Sequence, residues 1–73
     1  MSLHQLIAAC LKVPPGRIGE DTVMKDVPEW DSLKHMELIV MLEQHYAVEL
    51  TGDEIAVMTS VKSIQDVLRQ RGK

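Results

Sequence analysis

Glu29-Trp30-Asp31-Ser32-Leu33-Lys34-His35-Met36-Glu37-Leu38-Ile39 is the stretch on which the fold turns. A loop containing Pro28 precedes it, and the apolar residues continue beyond it as Val40, Met41, Leu42 and Tyr46. Leu38, Leu42 and Tyr46 recur at i, i+4 and i+8, the spacing of one face of an α-helix. The pattern predicts a helix that begins at Asp31 or Ser32 and reaches about Tyr46. Those three residues are expected in the core, joined by contacts from the Leu33 side and from Ile39 or Met41. Met36 and Val40 fall on another face, beside Lys34 and Glu37. A helix that is apolar on more than one face is either buried all round or carries an exposed apolar patch. A domain this small cannot cover it completely, so Met36 and Val40 are expected to meet a partner. Ser32 stands at the helix start, among backbone N–H groups that have no partner within the helix. Taken alone, an Asp-Ser pair in that place is an ordinary cap.

Outward from this helix, the flanking segments read as smaller elements of one domain spanning residues 1–73. Leu3, Leu6, Ile7, Cys10 and Leu11 share one helical face, which predicts a first helix from about Ser2, its N-cap, to Lys12. Pro14-Pro15-Gly16 ends it, because proline neither donates to nor fits inside a continuing turn. Val13 to Asp31 has no sustained period and is expected to be a loop packed by its own side chains, anchored by Ile18, Val23, Met24, Val27 and Trp30. Glu20-Asp21-Thr22 could start a short helical turn, and Trp30 is read as covering the seam between helices. After the long helix, Val48 and Leu50 are expected to plug an extended return into the core, with no second strand to pair with. Asp53–Met58 reads as a short helix. Thr59-Ser60 then starts a last helix over about Val61 to Arg71, with Val61, Ile64, Val67 and Leu68 inside and Gly72 as its stop. The fold class is therefore all-α: a small four-helix bundle of three main helices and one short one.

Composition agrees and excludes several functions. Apolar residues make up 45% of the 73, yet there is one Trp, one Tyr and no Phe, so the core must be built from Leu, Ile, Val and Met. Such a chain has no room for the deep cleft of an autonomous enzyme. A formal charge of −3 with scattered Lys and Arg shows no basic stripe, which argues against a DNA-binding helical domain. The single Cys10 cannot form an internal disulfide and suits a reducing cytoplasm; it is read as a core residue, not a reactive thiol. No signal peptide and no membrane span of about 20 apolar residues is recognisable.

Reactive constellations are also incomplete. His4, His35 and His45 lack zinc-ligand spacing with Cys10 and are expected on solvated helix surfaces. Asp31, Ser32 and His35 lack the oxyanion hole and pocket of a hydrolase. The acids Glu20, Asp21, Asp26, Glu29 and Asp31 read as a solvated loop without the spacing of a calcium loop.

What remains is Asp31-Ser32-Leu33, preceded by Trp30 and followed by Glu37-Leu38 and Leu42-Glu43. Val48-Glu49-Leu50, Asp53-Glu54 and Met58-Thr59-Ser60-Val61 follow in order. This ordered set resembles the acyl carrier protein family, the phosphopantetheine-binding carriers, over essentially the whole chain. The resemblance implies that a phosphopantetheinyl transferase, working with Mg²⁺, moves 4′-phosphopantetheine from coenzyme A onto Ser32, with Asp31 and Leu33 framing the attachment. It implies no catalysis by the chain itself. A loading ligase or acyltransferase would place a cargo on the arm's thiol as a thioester, and a downstream synthase or transferase would take it. The carrier itself is expected to be a cytoplasmic monomer.

Lys34, Met36, Glu37 and Val40 are the expected docking residues. Typical fatty-acid carriers have an acid where this chain has Lys34, and further acids along the helix where it has Gln44 and His45. Changing rim charges alters encounter rate and partner choice. The resemblance therefore points toward dedicated polyketide, nonribosomal-peptide or modified acyl and aminoacyl pathways more than toward housekeeping fatty-acid synthesis. The alternative is a non-carrying adaptor module in which Ser32 is only a helix cap.

Overall fold

The computed structural model describes residues 2–73, and Met1 lies outside them. Four helices follow one another: α1 (Leu3–Leu11), α2 (Ser32–Tyr46), α3 (Gly52–Val57) and α4 (Val61–Gln70). Three are main helices and α3 is short, as the periodicity predicts. Ser2 caps α1 through a reciprocal pair with Gln5, its hydroxyl accepting from the Gln5 N–H while the Gln5 side chain accepts from the Ser2 N–H. Thr51 and Glu54 do the same for α3.

Helix α1 stops before the prolines. Lys12 turns into the left-handed region (φ 60°), and the Val13 N–H reaches back to the Ala8 carbonyl at 3.0 Å. At the end of α4, Gly72 (φ 77°) lets the Lys73 N–H bond the Leu68 carbonyl at 2.9 Å. Both endings satisfy carbonyls that a helix leaves unpaired.

One apolar cluster holds the bundle. Leu6, Ile7, Cys10 and Leu11 of α1 meet Leu38, Ile39 and Leu42 of α2 and Val61, Ile64, Val67 and Leu68 of α4. Ile18, Val27 and Trp30 enter it from the loop, while Leu3, Met24, Met41, Tyr46, Val48 and Leu50 pack partly buried against it. Two expectations fail here, and one core residue was not expected. Leu33 is not a core contact but 69% exposed, because it lies on the outer face of α2 with Met36 and Val40. The helical turns of the long loop lie at Pro15–Arg17 and Met24–Asp26 instead of Glu20-Asp21-Thr22. Met58, the C-cap of α3, is wholly buried in the cluster although no helical period marks it.

Of the three histidines read as surface, His35 is buried. It lies three residues before Leu38 and seven before Leu42, on the core face of α2. Its imidazole sits between two buried polar groups. The Trp30 indole Nε1–H donates to Nδ1 at 3.1 Å, and Nε2 lies 3.1 Å from the Ile55 carbonyl. Since Nδ1 accepts, Nε2 carries the proton and donates to Ile55, which is a carbonyl of the last turn of α3. A polar residue is tolerated inside because both of its nitrogens are satisfied. The long loop is also stapled to the start of α4. The Met24 N–H donates to the Thr59 carbonyl at 2.8 Å, and the Val61 N–H donates to the Thr22 carbonyl at 3.0 Å.

Two measurements test these ties. His35→Leu leaves the indole N–H without a partner and the Ile55 carbonyl with only the Met58 N–H at 3.3 Å, and is expected to cost about 2 kcal/mol by urea unfolding. Combined with Trp30→Phe, the losses should fall short of additivity by more than about 0.5 kcal/mol. The Arg71 guanidinium, together with the Thr51 N–H, holds the Glu54 carboxyl down to about 2 from its ordinary 4.5. A depressed carboxyl stabilises the fold above its unfolded pKa, and that contribution disappears as pH falls through the folded value. The stability gap between wild type and Glu54→Gln should therefore narrow from about pH 4.5 down to about 2.

Candidate functional site

The site is built by the entry into α2. Pro28 and Glu29 form a turn, with the Trp30 N–H bonded to the Val27 carbonyl at 2.9 Å. Arg17 grips Glu29 from across the loop at 2.9 and 3.2 Å, and the ring of Trp30 is sunk in the core. The backbone arriving at Asp31 is consequently fixed on both sides. Asp31 is extended (φ −97°, ψ −175°), and its Oδ1 accepts from the Lys34 N–H at 2.9 Å. Its carbonyl accepts from the His35 N–H at 2.8 Å, opening the helix.

Asp31 is thus the N-cap, and Ser32 is the first residue of the helix. The Ser32 side chain is exposed and its hydroxyl makes no hydrogen bond among the described residues. The backbone N–H groups of Ser32 and Leu33 likewise have no partner among those residues. An oxygen at this place is accessible, uncommitted, and set where the positive end of the helix dipole favours an attached anion. The neighbouring Asp31 carboxylate would oppose such an anion less than a free one, since it is already engaged by the Lys34 N–H. These residues fit a phosphate-linked group on Ser32.

Beyond the serine, three charged side chains of α2 are already engaged. Lys34 Nζ pairs with Glu37 at 3.1 Å, and Glu43 accepts from the Leu50 N–H at 2.9 Å. The large side chains left in water are apolar: Leu33 at 69%, Met36 at 50% and Val40 at 48% exposure, spaced i, i+3, i+7 on one face, with Val57 of α3 at 57%. Val57 and Leu33 are additions to the expected docking set. Nothing in the period of α3 singled out Val57, a helix of six residues being too short to define a face.

Cys10 lies under the same turn, its Sγ 3.8 Å from the Lys34 carbonyl. Burial, with Glu37 nearby, pushes its thiol pKa up, the reverse of an activated nucleophile. On the other side of Asp31, a groove of about 700 Å³ opens between the loop and the start of α4. No group of three or more His, Cys, Asp or Glu side chains that could hold a metal ion occurs among the described residues. No helix among them is long and apolar enough to cross a membrane.

A family model described as a phosphopantetheine attachment site matches residues 2–69. The chain is also similar to an acyl carrier protein of Buchnera aphidicola subsp. Baizongia pistaciae (strain Bp), with 29% identity over 68 residues. That alignment covers 93% of this chain and 87% of the Buchnera protein.

The division of labour between Asp31 and Ser32 is open to a direct test. Asp31→Ala removes the cap and is expected to destabilise the protein by about 1 kcal/mol. Ser32→Ala, which removes an unbonded hydroxyl, should stay within about 0.5 kcal/mol of wild type in the same urea titration. Equal losses at both positions would return the capping role to Ser32.

Proposed function

This chain belongs to the phosphopantetheine-attachment family and is a carrier protein whose cofactor is 4′-phosphopantetheine, and from that premise we propose that Ser32 is the residue that bears the arm. The observation that carries the proposal is the free, exposed Ser32 hydroxyl beside a cap supplied by a different residue. Asp31 and Leu33 frame it, one by fixing the helix start and the other by presenting an apolar side chain to an incoming enzyme. The unpaired N–H groups of Ser32 and Leu33 would stabilise the phosphodiester. The arm supplies a terminal thiol on which acyl, aminoacyl or polyketide cargo is held as a thioester. The role of the chain is to position that tether and raise the effective concentration of its cargo at successive enzymes.

Partners would be a phosphopantetheinyl transferase, a loading ligase or acyltransferase, and a downstream synthase or transferase. Lys34, Met36, Glu37 and Val40 are the proposed docking residues, extended by Leu33. The Lys34–Glu37 pair closes on itself, so the face offered is governed by Leu33, Met36 and Val40 and not by net charge. An apolar face with a neutralised rim suits partners that bind by shape and burial, with little electrostatic steering. This supports dedicated acyl, aminoacyl, peptide or polyketide pathways in the cytoplasm, where Cys10 and the arm's thiol stay reduced. The adaptor alternative has Ser32 spent as a cap, a task that Asp31 performs.

Incubating the purified apo-protein with coenzyme A, Mg²⁺ and a broad-specificity phosphopantetheinyl transferase should add the mass of one phosphopantetheine, read by intact mass spectrometry. Ser32→Ala should add none. A wild-type protein left unmodified while a control carrier is loaded would sink the assignment.

A further inference from the structure

Resting on Ser32 as the attachment residue, we propose that the loop-side groove beside Asp31, and not the seam between α2 and α3, seats the arm and the first atoms of its cargo. The groove has a volume of about 700 Å³, within the range of small-ligand sites, and Asp31, the residue before Ser32, is part of its rim. Its walls are mainly apolar: Val23, Met24, Val27, Pro28 and the edge of Trp30, closed on the far side by Thr59 and Ser60. The two backbone hydrogen bonds Met24–Thr59 and Val61–Thr22 brace these walls against each other. A groove formed before its ligand arrives binds without the cost of ordering its own walls.

Charge points the same way. Lys25 lines the groove and, like Lys12 and Lys73, makes no ion pair among the described residues, whereas Arg17, Lys34, Lys62, Arg69 and Arg71 each have a carboxylate partner. An unpaired ammonium along an apolar groove that begins beside the serine complements an anionic phosphodiester followed by an apolar chain.

The α2–α3 seam offers the opposite conditions. His35 bridges it, bonded to Trp30 on one side and to the Ile55 carbonyl on the other. Leu38 of α2 and Met58, the C-cap of α3, are packed to zero exposure. A chain that displaces His35 there breaks both of its bonds and leaves the buried Trp30 indole N–H unsatisfied.

The test uses the full-length, isotope-labelled protein before and after transfer of phosphopantetheine from coenzyme A, with intact mass confirming the loaded state. Comparison of ¹H–¹⁵N correlation spectra should show shifts at the backbone amides of Val23, Met24, Thr59 and Ser60 and at the Trp30 indole N–H, beyond those at residues 31–34. These groove shifts should be lost in loaded Lys25→Glu and in loaded Thr59→Glu, each checked by circular dichroism for an intact fold. Failure of the wild-type protein to gain mass overturns the Ser32 assignment and the groove with it. A normal gain in mass with shifts confined to residues 31–34, or centred on Ile55 and Met58, overturns the groove alone. Groove shifts that survive both substitutions overturn it as well.

Discussion

The hydrogen-bonded line from Trp30 through His35 to Ile55 ties together three parts of the chain that otherwise share little contact. Trp30 is the last residue fixed before the site, His35 is in the first full turn of α2, and Ile55 is in the last turn of α3. A helix of six residues has no stability of its own, and its last carbonyls lack partners within it. His35 supplies one of those partners from inside the core. The same imbalance explains why Arg71 of the C-terminal turn grips Glu54: α3 is held at both ends by residues of other elements. Remove the imidazole and the short helix, the indole and the loop leading to Ser32 lose their common reference.

Given that frame, the site follows from a separation of tasks. A helix start requires an oxygen acceptor for its free N–H groups, and a modification site requires a nucleophilic oxygen with no other commitment. One residue cannot do both well, because a hydroxyl engaged in capping is aimed back at its own backbone. The pair Asp31-Ser32 solves this by sequence order: the carboxylate caps, and the hydroxyl, one residue further on, faces solvent.

Helix positions, the core rows of α1 and α4, and the placing of Ser32 at a helix start were legible in the sequence because each rests on local periodicity, capping chemistry or a short ordered motif. His35 was misread because residue type outweighed spacing: its interval to Leu38 and Leu42 placed it inside, but a histidine needs two polar partners to stay there, and these come from positions five behind and twenty ahead. Leu33 was misread in the opposite sense, as an apolar residue that lies on the outer face of α2 with Met36 and Val40. Neither the groove nor the loop staples had a sequence signature. They arise where Val23 and Ser60, distant in the chain, are brought side by side.

These non-local features bear on how a carrier differs from an inert bundle. A tethered cargo must be accessible to an enzyme, yet an arm moving freely in water exposes its thioester and loses binding entropy when captured. A shallow seat that begins beside the attachment point limits both costs without enclosing the cargo. With the proposed seat, the Leu33–Met36–Val40 face of α2 stays unoccupied, and a partner docked there would leave the arm free to be drawn from the groove beside Asp31. Two surfaces that share the start of one helix, one for the partner and one for the arm, need no change in the core to exchange the cargo. The seam between α2 and α3, bridged by the His35–Ile55 hydrogen bond, is consistent with that economy, because with the proposed seat it need not open.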